Sequence, residues 1–123
     1  MESDGAKIAL VDVPGLFDFE LGLYEGIMAV ESVLITVSAR SGLSVGAQKA
    51  YRLAEKQGKA RMIYISKVDA ENAHFYRVFD ALKAEFGASL CPIVVPYDNN
   101  GQVVFVNLIS EKAFTYDTAG KAT

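Results

Sequence analysis

Two acidic motifs carry the chemistry this chain could perform. The first is Asp12-Val13-Pro14-Gly15 and the second is Ser66-Lys67-Val68-Asp69. A carboxylate at a strand end, such as Asp12, can hold Mg2+ directly or through water when phosphates supply the other ligands. Pro14-Gly15 turns the chain at once. The glycine lets its backbone N–H approach a phosphate oxygen with no side chain in the way. In the second motif the Asp69 carboxylate is a two-oxygen acceptor, shaped for the adjacent N–H donors on a guanine edge. The Lys67 stem can lie along a flat base. Taken singly, Asp12 reads first as an acid that ends a strand and caps the next turn. Ser66–Asp69 could likewise be a polar loop ahead of a helix.

Both motifs need a parallel sheet to position them, because ligands of such sheets bind outside the carboxyl ends of the strands. The apolar run Lys7–Asp12 ends at an acid and reads as a strand buried on both faces. Phe19–Val30 is predicted helical, with Leu23, Ile27 and Val30 on one face. Gly22 and Gly26 each weaken that helix by ~1 kcal/mol relative to alanine. Ser32–Ser38, rich in β-branched residues, is a second buried strand. Ser44 caps a helix reaching Gln57, its inner face carrying Ala47, Ala50, Tyr51 and Ala54 and its outer face Lys49, Arg52, Glu55 and Lys56. Gly58 suits the left-handed position past its end.

Arg61–Ser66 is a third strand, and Asn72–Phe86 a helix with Phe75, Val78, Phe79, Leu82 and Phe86 at helical spacing. Pro92–Pro96 is a fourth extended run, and Asp98–Gly101 is turn chemistry. Val103–Ile109 and Ala113–Tyr116 read as two strands joined at Ser110-Glu111-Lys112. Repeated strand–helix units imply an α/β fold with a mostly parallel sheet. The change of character after Gly101 implies an appended C-terminal β-hairpin.

Bulk properties narrow the function classes. The 123 residues are 51% hydrophobic and 22% charged, a globular composition. A net charge of −3 offers no global basic field for nucleic acid, so no direct DNA binding is expected. The apolar run Ile27–Ala39 is interrupted by Glu31 and is too short for a membrane span. The N-terminus carries Glu2 and Asp4 rather than a basic region, so no secretory signal is visible and the cytoplasm is the expected address. His74 is the only histidine and reads as a surface residue. With no further His or Cys partners, a zinc site is not expected. Cys91, the single cysteine, reads as a small buried apolar group.

The two motifs resemble those of GTPases, in which D-x-x-G touches metal and γ-phosphate and [NT]-K-x-D reads guanine. Asp12–Phe19 is close to the D-T-P-G-H-x-D-F of translational GTPases. Ser38–Leu43 through Gln48, and Ala54–Gly58, resemble the following loop and helix end of that family. Pro92–Pro96 and Val103–Ala113 resemble the segment that opens the inserted subdomain of elongation factor G. The resemblance covers Lys7–Tyr116. It implies a P-loop GTPase-type three-layer fold, with a partial GTP-binding domain over 1–97 and the start of the inserted subdomain over 98–123. It also implies GTP or GDP with Mg2+ as ligands and the ribosome as partner of the intact protein. Asp12 and Gly15 would then face Mg2+ and phosphate, and Ser66, Lys67 and Asp69 would face guanine. This requires Asp12 and Asp69 to stand on one rim of the sheet.

Departures from the pattern set further expectations. Leu16 stands where the family has the histidine that orients the attacking water, so hydrolysis should slow severely. Ser66 replaces the usual asparagine and offers fewer bonds. No G-x-x-x-x-G-K-[ST] occurs in the 123 residues, so the chain is expected to be inactive alone. In the family the phosphate-loop strand lies between the strand ending at Asp12 and the one ending near Ser38. The sheet should therefore be incomplete, and the chain marginal or self-associating through exposed strand edges. Two other readings stay open: a nucleotide-dependent binding module with lost or slow hydrolysis, and a receiver- or flavodoxin-like domain. The receiver fits poorly because the strand ends offer only Asp12, Ser38 and Ser66.

Overall fold

The computed structural model describes residues 2–3, 5–13, 20–117, 120 and 122–123. They divide into two compact units, Met1–Val37 with Leu43–Tyr64, and Ser38–Gly42 with Ile65–Thr123.

The first unit starts with two short antiparallel strands, β1 (Glu2–Ser3) and β2 (Ala6–Lys7). Helix α1 (Glu20–Ala29), strand β3 (Ser32–Ser38), helix α2 (Val45–Lys56) and strand β4 (Ala60–Ser66) follow. Strands β3 and β4 hydrogen-bond to each other. The Ala39 N–H donates to the Ser66 carbonyl at 2.8 Å, so the two carboxyl ends adjoin and the pair is parallel. The expected α/β class with a parallel sheet and an appended antiparallel element therefore holds.

Helix α2 forms where the sequence places it. The Ser44 side chain accepts from the Ala47 N–H at 3.2 Å, satisfying an otherwise orphaned donor. At the other end Gly58 sits at φ 65, and the Gly58 and Lys59 N–H groups donate to the Glu55 and Ala54 carbonyls. Only a residue free to adopt the left-handed region closes a helix this way at no steric cost. The inner face buries Ala47, Tyr51 and Ala54. Arg61 of β4 stacks over the Tyr51 ring at 4.6 Å and pairs with Glu55 at 3.1 Å. The Lys59 ammonium donates to the Val30 carbonyl at 2.6 Å, just past the end of α1, where a cation suits the helix dipole.

Two expectations for the strands are corrected. Strand β3 is buried on one face only: Ile35 and Val37 are buried while Leu34 is 60% exposed. On β4, Arg61 faces α2, and the alternate residues Met62 and Tyr64 are exposed. Helix α2 lies on the Arg61 side of this pair, and the opposite side keeps Leu34, Met62 and Tyr64 in solvent. The strand expected over Lys7–Asp12 is absent. Only Ala6–Lys7 enters a ladder, and it does so antiparallel to Glu2–Ser3. Ile8–Val13 lies outside every strand of the described residues, with Leu10 77% and Val11 53% exposed. Strand preference is largely a fit to a pleated surface with neighbours. The neighbour that the resemblance places beside this segment, the phosphate-loop strand, has no counterpart in the sequence.

The second unit contains helix α3 (Phe75–Phe86) and strands β5 (Val94–Asn99), β6 (Gln102–Asn107) and β7 (Lys112–Phe114), which form an antiparallel meander. Helix α3 starts at Phe75 rather than Asn72, because Asn72 adopts φ 63 and cannot begin a right-handed helix. Val78 and Leu82 are its buried residues. Phe75 and Phe79 stack at 6.2 Å, and the Tyr76 hydroxyl donates to the Pro96 carbonyl at 3.0 Å. Asn100 and Gly101, at φ 54 and 88, make the two-residue turn that pairs Asn99 with Gln102.

The expected hairpin after Gly101 is thus part of a three-stranded sheet, because the Pro92–Pro96 run continues to Asn99 and pairs along β6. Position 97/98 falls inside β5. Cys91, expected to be buried, is exposed in the connection ahead of β5. No helix of the described residues is long and apolar enough to cross a membrane.

Candidate functional site

The carboxyl ends of β3 and β4 create the site. At the end of β3, the Ser38 hydroxyl accepts from the Arg40 and Ser41 N–H groups at 3.2 and 3.3 Å. The Ser38 carbonyl accepts from the Gly42 N–H at 2.8 Å. This tight turn fixes Ala39, which is 2% exposed. Ala39 then holds the next loop at both ends. Its N–H donates to the Ser66 carbonyl at 2.8 Å, and its carbonyl accepts from the His74 N–H at 3.0 Å. Within the loop the Ala70 N–H donates to the Lys67 carbonyl and the Ala73 N–H to the Ala70 carbonyl, at 3.3 and 3.1 Å.

Three of the expected site residues stand on this clamped loop. Ser66 ends β4 and is partly buried, Lys67 and Asp69 are exposed, and the intervening Val68 is partly buried. Lys67 has φ 58. The left-handed region costs a residue with a Cβ roughly 1–2 kcal/mol, and such conformers concentrate at ligand-binding sites. The Asp69 carboxylate and the Lys67 side chain are both exposed, two residues apart on a braced loop. A shallow depression nearby is lined by Ala73–Arg77, beyond the loop, and contains none of these groups.

Asp12 lies in the other unit, exposed and on the segment Ile8–Val13. Gly15 and Leu16 lie outside the described residues. No group of three or more His, Cys, Asp or Glu side chains among the described residues could hold a metal ion. A single carboxylate can contribute one ligand to Mg2+ only where phosphate oxygens and water supply the rest.

The sequence reading missed Ala39. Its contribution comes from a backbone N–H and carbonyl, which side-chain identity does not encode. The small side chain at a strand end, next to a serine able to cap a turn, is the only trace it leaves.

Residues 1–120 match the family described as the elongation factor Tu GTP binding domain. An elongation factor G-like protein of Thermotoga maritima is 31% identical over 119 residues, covering 95% of this chain and 17% of the relative. Elongation factor G of Chlamydia trachomatis is 29% identical over 119 residues, covering 94% and 17%. A crystal structure of a Thermus thermophilus protein aligns over 100% of this chain and 19% of its own, with a TM-score of 0.88 and 27% identity. The chain spans about one sixth of the length of the curated relatives it matches. Its parallel β3–β4 pair, the clamped Ser66–Asp69 loop and the match over nearly its whole length agree: the chain belongs to the elongation factor Tu GTP-binding-domain family.

Proposed function

We propose that this chain is the guanine-reading portion of a translational GTPase of the elongation factor G type. The observation that carries the reading is the Ser66–Asp69 loop, held by Ala39 at the carboxyl end of β4 with Asp69 presented to solvent. Asp69 accepts the two N–H donors of the guanine edge, the Lys67 stem covers the base, and Ser66 braces the loop. Asp12 supplies one carboxylate toward Mg2+, directly or through water. Gly15 offers its N–H to a phosphate. The intact protein works on the ribosome in the cytoplasm. Residues 1–97 serve the GTP-binding domain, and 98–123 open an inserted subdomain.

A second reading rests on Leu16, which can neither donate nor accept a hydrogen bond. In it the protein recognises nucleotide but cleaves it slowly. The test uses a fluorescent guanine nucleotide with Mg2+. The chain alone should show no saturable binding at micromolar concentration. The same chain with a G-x-x-x-x-G-K-[ST] strand–loop–helix fused ahead of Met1 should bind, and guanine should compete where adenine does not. Binding by the fused protein that is indifferent to the base would overturn the reading. Leu16→His in the fused protein separates the two versions. A gain in single-turnover cleavage on the order of 10²-fold identifies a slowed enzyme, and no gain leaves a binding module.

A further inference from the structure

Helix α1 contains two glycines, and their surroundings differ. Among the described residues, a Cβ built at Gly22 would meet nothing within 4 Å, whereas one at Gly26 would stand 2.5 Å from Cγ2 of Val13 and 3.7 Å from its Cβ and Cγ1. Real Cβ atoms do not approach so closely. The Val13 side chain therefore occupies a notch in α1 that exists only because residue 26 has no side chain. Valine is stiff at χ1, since both branches start at Cβ, so it cannot readily swing clear of an added methyl. Val13 is partly buried although the two residues before it are exposed.

Asp12 is bonded directly to Val13 and belongs to no strand. A carboxylate on an irregular segment needs some other anchor to keep its position. We infer that Gly26 is a positioning residue for Asp12: the notch at Gly26 seats Val13 against α1 and so sets where the Asp12 carboxylate stands. This rests on the reading of Asp12 as the carboxylate that faces Mg2+ and phosphate. It adds a coupling, because a shift of α1 along its axis carries Asp12 with it. It also accounts for a poor helix former at position 26, where α1 gives up propensity in exchange for close approach.

The test compares G22A, G26A, V13A and the V13A/G26A double variant of the 123-residue chain, without nucleotide. Melting temperature and the Asp12 and Val13 amide resonances of 15N-labelled protein are read together. G22A should raise the melting temperature and leave the Asp12 resonance unmoved. G26A should move the Asp12 resonance and give no such rise. With Val13 cut back to alanine, adding G26A should raise the melting temperature as G22A does and leave Asp12 where V13A alone puts it. If G26A behaves like G22A, the inference fails. It fails equally if G26A is as damaging in the V13A background as it is with Val13 intact, a comparison that survives even if G26A alone does not fold. Because no nucleotide is present, failure here leaves the proposed ligand of Asp12 standing. A nucleotide site that ignores Asp12 would likewise leave the notch standing.

Discussion

Ala39 and Ser66 are joined by a 2.8 Å hydrogen bond, from the N–H that follows β3 to the carbonyl that ends β4. This bond places the start of the Lys67–Asp69 loop at the end of a parallel strand pair. The second bond of Ala39, from the His74 N–H, places its finish. A single buried residue thus sets both ends of the Lys67–Asp69 segment.

Enlarging that residue should loosen the loop. Ala39 is 2% exposed. Ala39→Leu should cost about 1–3 kcal/mol through overpacking, read as a lower urea midpoint with an unchanged slope. Hydrogen exchange at the Ala70, Ala73 and His74 amides should accelerate. An unchanged midpoint with unchanged exchange at these amides would show that the clamp does not depend on Ala39 packing.

Lys67 should show stability and function pulling in opposite directions. Its φ of 58 lies where glycine carries no steric penalty. Lys67→Gly should leave stability level or raise it by up to about 1 kcal/mol, with relief of strain offset by the entropy of the unfolded chain. The same change should weaken guanine nucleotide binding in the fused protein, because the aliphatic stem is gone. Calorimetry and nucleotide titration of one variant check both halves. A clear destabilisation would mean that Lys67 is held by contacts stronger than its backbone strain.

The β5–β6 turn gives a prediction independent of nucleotide. Gly101 has φ 88, and its N–H donates to the Asp98 carboxylate at 2.7 Å. Gly101→Ala should cost about 1–2 kcal/mol, seen in the urea midpoint. Asn100→Gly should be nearly neutral, because glycine also tolerates the left-handed region. Equal effects at both positions would contradict the turn geometry.

What the sequence made legible follows from where the deciding interactions are local. Helix α2 could be read almost to the residue, because Ser44, the Ala47–Tyr51–Ala54 stripe and Gly58 are all local signals. Strand β3 was equally plain from Ser32–Ser38. The Lys7–Asp12 run carried the same kind of signal and formed no strand, because a ladder needs a partner that composition cannot supply. The start of α3 was misread because the left-handed turn at Asn72 depends on the loop returning to Ala39, a contact made 35 residues away along the chain. The motif residues Ser66, Lys67 and Asp69 were visible at once. The backbone clamp that presents them was not.

The open side of the β3–β4 pair has a solution consequence. Leu34, Met62 and Tyr64 are 60%, 54% and 59% exposed on the side away from α2. Apolar strand surface left in water drives association. The 123-residue chain should therefore sediment as concentration-dependent oligomers, and Met62→Lys with Tyr64→Lys should shift it toward monomer. A wild-type chain that stays monomeric and melts cooperatively at high concentration would remove the argument from the incomplete sheet.

Base selectivity gives the sharpest check on Asp69. A carboxylate only accepts hydrogen bonds, which matches the N–H and NH2 donors of guanine. An amide donates and accepts, which matches xanthine, where a carbonyl replaces the exocyclic NH2. In the fused protein, Asp69→Asn should therefore weaken GDP binding by about 10²-fold or more, as expected when a charge-assisted pair is lost and a buried donor is left unpaired. Xanthosine diphosphate should gain over the wild type. Competition titration with GDP, xanthosine diphosphate and ADP measures all three. A fold instability would weaken every nucleotide alike, so a crossover between guanine and xanthine can come only from the contact itself. No weakening, or uniform weakening in a variant that melts as the wild type does, would remove Asp69 from the base and with it the assignment of this loop to guanine.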